Sequence, residues 1–223
     1  MMIIDVDTRP SHLDQESVDV QFLFPTPFVA AKLNNYLAVN RDLTQLILAR
    51  AETHASASLS NVGGWQSETD FQAWAGPSGE AVLAAARELG NGITALNDRG
   101  ALKQGEVAWR INAWANVNRA GHSNEMHAHA GSYWSGVYYV DDGMDQDTQT
   151  GGELELLDPR GPAPLMYAPQ LKIAIKSCLT AGLSEFQRPR SGELYMFPAW
   201  LYHGVRPYLG ARARISVAFN LCV

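Results

Sequence analysis

The chain is poor in several kinds of residue, and each shortage narrows what the protein can be. It has two cysteines among 223 residues, Cys178 and Cys222. That is too few for a disulfide framework, and neither cysteine belongs to a CxxC pair. No stretch approaches the roughly 18 apolar residues of a membrane-spanning helix. The N-terminal segment has no basic region followed by an apolar run, so it does not read as a signal peptide. We therefore expect a soluble cytoplasmic protein with free thiols.

Basic residues are also in the minority. The chain has 17 Lys and Arg against 23 Asp and Glu, which gives a formal net charge of -6. Because phosphate contacts need a basic surface, this balance argues against nucleic acid as the main partner. Neither an internal repeat nor a low-complexity tract is present. Hydrophobic residues make up 46% of the chain, enough for a core that needs no disulfide to hold it.

The first 100 residues predict extended chain followed by helices. Residues 18–33 read as an extended segment that prolines interrupt. A first helix follows, with Asn40 as its N-cap and apolar residues at helical spacing. A second helix spans roughly residues 78–96. Between the two helices lies a Ser- and Gly-rich loop, which we expect to shape the mouth of a pocket through its aromatic residues Trp65, Phe71 and Trp74.

The second half of the chain predicts strands. Clusters of Gly, Pro and Asp separate the segments, and short strands with regular turn signals are typical of a sandwich or barrel. We therefore predict a mainly β fold, with a helical and extended buttress over residues 1–100 and a β core over residues 101–223. Because no linker separates the halves, they should form one compact unit. The predicted strands are VAWRINAWANVN, SYWSGVYYVDD, GELELLDP, LKIAIKS, GELYMFPAW and ARISVAFNLCV.

Histidines carry the clearest chemical signal. His127 and His129 are two residues apart, so in an extended chain their side chains point to the same side. His203 lies far downstream, at the start of the last predicted hairpin, where a late strand can lie beside an early one. Three imidazoles on one face of an octahedron leave the open positions that an oxygen-activating iron site needs. His122 is five residues from His127, so alternation does not place it with them.

The last predicted strand carries a candidate carboxylate-binding group. Arg212, Arg214 and Ser216 share one face of this strand by alternation. An arginine fork suits bidentate capture of a carboxylate, and a neighbouring hydroxyl completes the cradle. Arg214 is the preferred anchor and Arg212 is the alternative.

These motifs occur in a recognisable order: HxH, SGVYYV, GGELELLDPR, GELYMFPAWLYHGV and RISVAFN. Over Trp109–Val223 the chain resembles the Fe(II)/2-oxoglutarate-dependent oxygenase superfamily, in particular the bacterial "putative 2OG-Fe(II) oxygenase" group. The resemblance implies a double-stranded β-helix (a cupin-like jelly roll), Fe(II) as the metal, and 2-oxoglutarate and O2 as cosubstrates. It also implies hydroxylation of a C–H bond, with release of succinate and CO2. The substrate, a small molecule or a protein side chain, is not readable from the sequence.

The resemblance assigns roles to individual residues. His127 and His203 match two of the metal ligands. Arg214 and Ser216 resemble the R-x-S pair that binds the distal carboxylate of 2-oxoglutarate. Tyr139 matches a position whose hydroxyl often assists that carboxylate.

The third metal ligand departs from the family pattern. The superfamily usually has H-x-D or H-x-E, whereas this chain has His127-Ala128-His129. Three interpretations stay open. His129 binds the metal in a three-histidine site, or His129 stays off the metal, or a carboxylate from Glu125 or Glu153 takes its place.

Three functions are compatible with these patterns. The first is a 2-oxoglutarate-dependent hydroxylase. The second is a cupin-like three-histidine dioxygenase that does not use 2-oxoglutarate, in which Arg214 binds no cosubstrate. The third is a non-catalytic jelly-roll binding module, since jelly rolls host many functions. The pair of Arg214 and Ser216 downstream of His203 favours the first.

Overall fold

The computed structural model describes residues 16, 19, 24–57, 59–98, 101–105, 107–144, 151–161 and 182–223. Two antiparallel sheets form its core, as in a double-stranded β-helix, and helices cover the outer face of the larger sheet. The helices are α1 (Tyr36–Thr53), α2 (Phe71–Trp74) and α3 (Gly76–Ile93). None of the described helices is long and apolar enough to span a membrane.

The larger sheet has six strands in the order β1-β11-β8-β13-β6-β3. They are β1 (Val29–Lys32), β3 (Trp65–Gln66), β6 (Arg110–Asn118), β8 (Trp134–Asp141), β11 (Glu193–Pro198) and β13 (Arg214–Cys222). The smaller sheet has five strands in the order β10-β9-β12-β7-β2. They are β2 (Asn61–Val62), β7 (Ser123–His127), β9 (Leu154–Leu157), β10 (Ser184–Gln187) and β12 (His203–Val205). A separate hairpin joins β4 (Ala95–Asp98) to β5 (Ala101–Gln104).

Alternation along the central strands gives the larger sheet two different faces. The odd-numbered residues of β13 are buried against a core that α1 and α3 share. The even-numbered residues Arg214 and Ser216 face the space between the two sheets. Burying one Leu, Ile or Phe side chain stabilises the folded state by about 1.5–3 kcal/mol. The buried odd-numbered residues therefore fix the register of β13. They are Ile215, Val217, Phe219 and Leu221.

A second, smaller core fills the space between the sheets. It joins tyrosines and aliphatic residues from both sheets, and it lies beside the histidines. Its buried members are Tyr139, Leu154, Leu156, Tyr195, Phe197 and Leu201. The histidines therefore lie in the interior of the sandwich, next to this second core.

The β half agrees with the predicted strands, except that the predicted strand LKIAIKS, like Cys178, lies outside the described residues. Strands β5, β7, β10 and β12 were not predicted as strands. Two of them, β7 and β12, carry histidines. Each of the four is short, and a period of two is difficult to read over three to five residues.

Two helix predictions need correction. Helix α1 begins at Tyr36, so Asn40 lies inside the helix and is not its N-cap. Asn40 is buried, and its side-chain oxygen accepts a hydrogen bond from the Tyr138 hydroxyl at 2.5 Å. Helix α3 ends at Ile93, and Leu96 belongs to β4. For Asn40, the contact with Tyr138 outweighs the local capping signal.

The first hundred residues also supply strands to both sheets. Strand β1 pairs with β11, β3 pairs with β6, and β2 pairs with β7. The predicted loop therefore contains β2, β3 and α2. Its three aromatic residues pack against the core on the helical side of the larger sheet and do not line the cavity between the sheets, which corrects the expectation that they shape its mouth. They are Trp65, Phe71 and Trp74.

Candidate metal centre

Strands β7 and β12 are neighbours in the smaller sheet, and their pairing brings the first two histidines together. His127 and His203 are direct partners in the register, with ring centroids 4.5 Å apart. His129 lies two residues beyond His127, where its backbone N–H donates to the Ala199 carbonyl at 2.9 Å. Its ring centroid is 4.8 Å from that of His127 and 5.2 Å from that of His203.

The three side chains converge on one point. Their potential ligand atoms all lie within 4.8 Å of one another. The Nδ1 atom of His127 is 2.7 Å from the Glu125 carbonyl oxygen, and that of His203 is 2.8 Å from the Leu201 carbonyl oxygen. A ring nitrogen this close to a carbonyl must donate, so Nδ1 carries the proton and Nε2 keeps a lone pair. This arrangement is typical of metal-binding histidines.

Aromatic walls desolvate two of these imidazoles. The His203 ring meets Phe197 edge-on at 4.7 Å, and the His129 ring lies 5.7 Å from Trp114. Burial lowers the pKa of His203 to about 3. Burial, assisted by the nearby His127, lowers the pKa of His129 to about 4. Both imidazoles are therefore neutral near pH 7, which is the form that binds a metal.

Neither alternative carboxylate lies in this cluster. Among the described residues, the group that could hold a metal contains the three histidines alone. Glu125 is exposed on β7. Glu153 is not part of the cluster, and its backbone carbonyl accepts from Arg206. The geometry therefore favours the three-histidine interpretation.

His122 lies apart from the cluster, as alternation predicted. Its Nδ1 accepts a hydrogen bond from the Arg119 backbone N–H at 2.9 Å. Its ring also packs against Gly63 and Gly64, where a side chain would collide with it.

The other end of the cavity contains two buried polar atoms that make no hydrogen bond within the described residues. Arg214 is 2% exposed and its Nη1 donates to the Asn118 side-chain oxygen at 3.3 Å. Within the part of the chain that the structure describes, the Arg214 Nε and the Tyr139 hydroxyl make no hydrogen bond. Burial raises the pKa of Tyr139, so its hydroxyl keeps its proton. Ser216 is the register partner of Tyr139 and completes this group.

Buried donors without a hydrogen bond lower the stability of the fold, so their presence at this end of the cavity points to a bound ligand. Leaving a buried polar group without a partner costs about 1–3 kcal/mol, and more when the group is charged. Arg214 and Tyr139 both face the same cavity as the histidines. An anionic ligand between them would satisfy both donors.

Arg212 does not share this face. Strand β13 begins at Arg214, so alternation does not extend back to residue 212. The Arg212 side chain is half exposed, and it forms an ion pair with Asp141 and donates to the Met144 carbonyl. The alternative anchor is therefore outside the cavity.

The side walls of the cavity combine predicted and unpredicted residues. Trp114 and Asn116, which alternate along β6, line it, whereas Asn112 is exposed. Sequence reasoning missed two polar residues, Ser60 from the loop before β2 and Asn124 from β7. The β8 residues could have been found by extending the alternation back from Tyr139. They are Ser135 and Val137.

Comparison with known proteins points to one family. Residues 112–220 match the family described as "Putative 2OG-Fe(II) oxygenase". This match covers just under half of the chain and includes the three histidines and Arg214. Fe(II) is the metal of 2OG-Fe(II) oxygenases and 2-oxoglutarate is their cosubstrate. No curated protein matches the sequence.

Solved structures show the same 2OG-Fe(II) oxygenase fold. A prolyl-4-hydroxylase from Pseudomonas putida is 16% identical with a TM-score of 0.58, covering 88% of this chain and 92% of that one. A prolyl hydroxylase from Trichoplax adhaerens, in complex with a hypoxia inducible factor peptide fragment, is 13% identical with a TM-score of 0.59, covering 87% and 83%. HygX from Streptomyces hygroscopicus, with nickel and 2-oxoglutarate bound, is 12% identical with a TM-score of 0.55, covering 88% and 83%. At these identities the likeness shows the fold.

Proposed function

We propose that this chain is a non-haem iron dioxygenase that hydroxylates a small molecule or a protein side chain at the expense of 2-oxoglutarate. His127, His129 and His203 bind Fe(II), and Arg214 binds the distal carboxylate of 2-oxoglutarate. One observation carries this proposal: three convergent imidazoles and a buried, incompletely bonded arginine line the same cavity.

The donor set fits both groups. Neutral imidazole nitrogen suits a divalent transition metal, and the backbone carbonyls behind His127 and His203 hold those rings in the metal-binding tautomer. When bound, iron and 2-oxoglutarate supply O2 activation, and the oxidation of a C–H bond is coupled to the release of succinate and CO2. The protein's part is to position the reactants and to exclude water.

The larger sheet positions the cosubstrate. The Arg214 fork and the Tyr139 hydroxyl supply donors for a carboxylate, and the Ser216 hydroxyl lies beside them. The core between the sheets packs around this end of the cavity and keeps bulk water away from the charged pair. Charge-assisted hydrogen bonds contribute about 1.5–3 kcal/mol each, so Arg214 should dominate cosubstrate affinity.

The substrate enters from the histidine side. His127 and His129 are partly exposed, whereas His203 and Arg214 are buried. Within the described residues, this exposure favours approach of a C–H bond from the side of the first two ligands. Trp114 supplies a flat apolar wall there, and polar residues can orient a substrate.

An anaerobic titration tests the proposal. The protein is loaded with Fe(II), 2-oxoglutarate is added without oxygen, and the visible spectrum is recorded. A weak charge-transfer band at one equivalent of iron, followed by succinate formation when O2 is admitted, is the expected result. Iron that binds without any band or succinate would contradict the use of 2-oxoglutarate.

A second candidate function rests on the missing carboxylate. Three histidines without a carboxylate are also compatible with a cupin-like dioxygenase that does not use 2-oxoglutarate. This candidate leaves the buried donors of Arg214 and Tyr139 unexplained, so it stands second. It predicts that the protein binds iron but shows no charge-transfer band when 2-oxoglutarate is added. If the protein bound no iron at all, the non-catalytic binding module would be the remaining candidate.

A further inference from the structure

The guanidinium of Arg214 has one hydrogen-bond acceptor among the described residues. Its Nη1 donates to the side-chain oxygen of Asn118 at 3.3 Å, whereas its Nε has no partner. Asn118 is also the register partner of Arg214, because the last residue of β6 lies opposite the first residue of β13. An arginine carries five N–H donors, so this contact leaves most of them for a ligand.

The acceptor is neutral, although both side chains are buried. A carboxamide oxygen accepts a hydrogen bond without cancelling the charge of the arginine. A carboxylate in the same place would form a buried ion pair, which an incoming carboxylate ligand would have to break. The carboxylate of Asp141, on the neighbouring strand β8, pairs with Arg212 instead. Asn118 therefore holds the guanidinium while its full charge stays available.

A glycine turn packs behind the Asn118 side chain. Gly64, between β2 and β3, has a φ of +73°, and a Cβ there would lie 3.2 Å from the Asn118 amide nitrogen. Because glycine has no Cβ, the backbone of the turn can approach the carboxamide directly. Among the described residues, the Asn118 side chain hydrogen-bonds to Arg214 alone. Its contacts thus give it no other hydrogen-bonding role.

The stem of Arg214 is confined on its other sides as well. A Cβ on Gly152 would lie 3.4 Å from the Arg214 Cδ and 3.5 Å from its Nε. The guanidinium carbon lies 5.1 Å from the centre of the Tyr139 ring. With these surfaces around the stem, the hydrogen bond to Asn118 sets the direction in which the remaining donors point.

We propose that Asn118 is a positioning residue for cosubstrate binding: its neutral carboxamide aims the Arg214 guanidinium at the distal carboxylate of 2-oxoglutarate without competing for the charge. The inference rests on the proposed function, because it requires Arg214 to bind that carboxylate. A merely structural role for Asn118 predicts a different order of variants. Aspartate has the shape of asparagine, so a structural role tolerates it better than alanine, whereas a neutral positioning role makes aspartate the worse replacement.

The test uses the full chain loaded with Co(II) in the absence of oxygen, with 2-oxoglutarate as the probe in calorimetry. Asn118→Asp should raise the Kd about 10-fold or more, since the ligand must displace a buried ion pair. Asn118→Ala should raise it about 3-fold, because the guanidinium loses its hydrogen bond but keeps its charge available. The Tm of ligand-free Asn118→Asp should stay at or above that of the wild type, because the buried arginine gains an ionic partner.

Asn112→Asp is the matched control, because it makes the same chemical change at an exposed position of the same strand. Its Kd for 2-oxoglutarate should stay within about two-fold of the wild type. Competition against a chelator should show that all three variants keep their Co(II) affinity. A loss of 2-oxoglutarate affinity in Asn112→Asp as large as that in Asn118→Asp would overturn the inference. So would a parallel loss of Co(II) affinity in Asn118→Asp, since that variant would then disturb the whole site.

The remaining outcomes separate this inference from the proposed function. If the wild type binds 2-oxoglutarate and Asn118→Asp binds it as tightly, or more tightly than Asn118→Ala does, the inference alone is overturned. A wild type that binds no 2-oxoglutarate, or an Arg214→Ala variant that binds it as the wild type does, overturns both. If Asn118→Asp does not fold, Asn118→Ala decides. An unchanged Kd in that variant contradicts the inference, and a Kd raised about 3-fold at unchanged Co(II) affinity supports it.

Discussion

His127 and His203 are direct partners across two neighbouring antiparallel strands, although most of the β core separates them in the chain. Their ring centroids are 4.5 Å apart, and each ring donates its Nδ1 proton to a backbone carbonyl two residues before it. The two histidines thus present the same ring nitrogen to the candidate metal position from two strands. This symmetry makes the role of each one testable.

Replacing His203 should abolish stoichiometric metal binding. His203→Ala removes the most buried of the three imidazoles, and the remaining two cannot form a three-nitrogen face. We expect less than one-tenth of the wild-type iron content after gel filtration, with the far-ultraviolet circular dichroism unchanged. His122→Ala is the control and should keep full iron content. Unchanged iron in His203→Ala would remove this residue from the site.

Replacing His129 distinguishes the three interpretations of the third ligand. If His129 binds the metal, His129→Ala should weaken Fe(II) or Co(II) binding by about 10- to 100-fold, in the range that loss of a metal-supporting group produces. Glu153→Gln should leave the affinity unchanged, because its carboxylate is not in the cluster. The measurement is competition against a chelator of known affinity. If Glu153→Gln weakened metal binding and His129→Ala did not, Glu153 would be the third ligand.

The two arginines near the start of β13 should behave differently. Arg214→Ala should weaken 2-oxoglutarate binding by about 2 kcal/mol or more, since a charge-assisted pair is lost. Arg212→Ala should change the affinity by less than about 0.5 kcal/mol, because Arg212 lies outside the cavity and exposed ion pairs contribute little. Calorimetry on the metal-loaded protein measures both. A large loss in Arg212→Ala alone would reverse the assignment.

Two adjacent tyrosines provide a matched pair. The Tyr138 hydroxyl donates to Asn40, whereas the Tyr139 hydroxyl has no partner among the described residues. Tyr138→Phe should therefore lower the free energy of unfolding by about 1 kcal/mol and leave 2-oxoglutarate binding unchanged. Tyr139→Phe should weaken 2-oxoglutarate binding while the ligand-free protein stays at least as stable as the wild type. Denaturant unfolding and calorimetry check both, and a destabilised Tyr139→Phe would indicate that its hydroxyl has a protein partner.

Much of the site was predictable because its signals are local. A period of two placed Arg214 and Ser216 on one face of their strand. The same rule placed His122 away from the metal ligands. These predictions needed no knowledge of which strands are neighbours, since side chains alternate along any extended chain.

Other features could not be read from the sequence, because they depend on contacts between distant segments. Alternation wrongly grouped Arg212 with Arg214, since the strand begins only at residue 214 and Arg212 turns outward to Asp141. Asn40 has the chemistry of a helix cap, but burial against Tyr138 gives it another role. Ser60 and Asn124 reach the cavity because β2 pairs with β7.

The sequence by itself determined the types of candidate ligand, their order along the chain and the shared face of Arg214 and Ser216, because residue chemistry and backbone period are properties of the chain. It also left the third metal ligand open among His129, Glu125 and Glu153. Only the tertiary structure favoured one of them, since strand pairing brings His129 to His127 and His203 and leaves both glutamates outside the cluster.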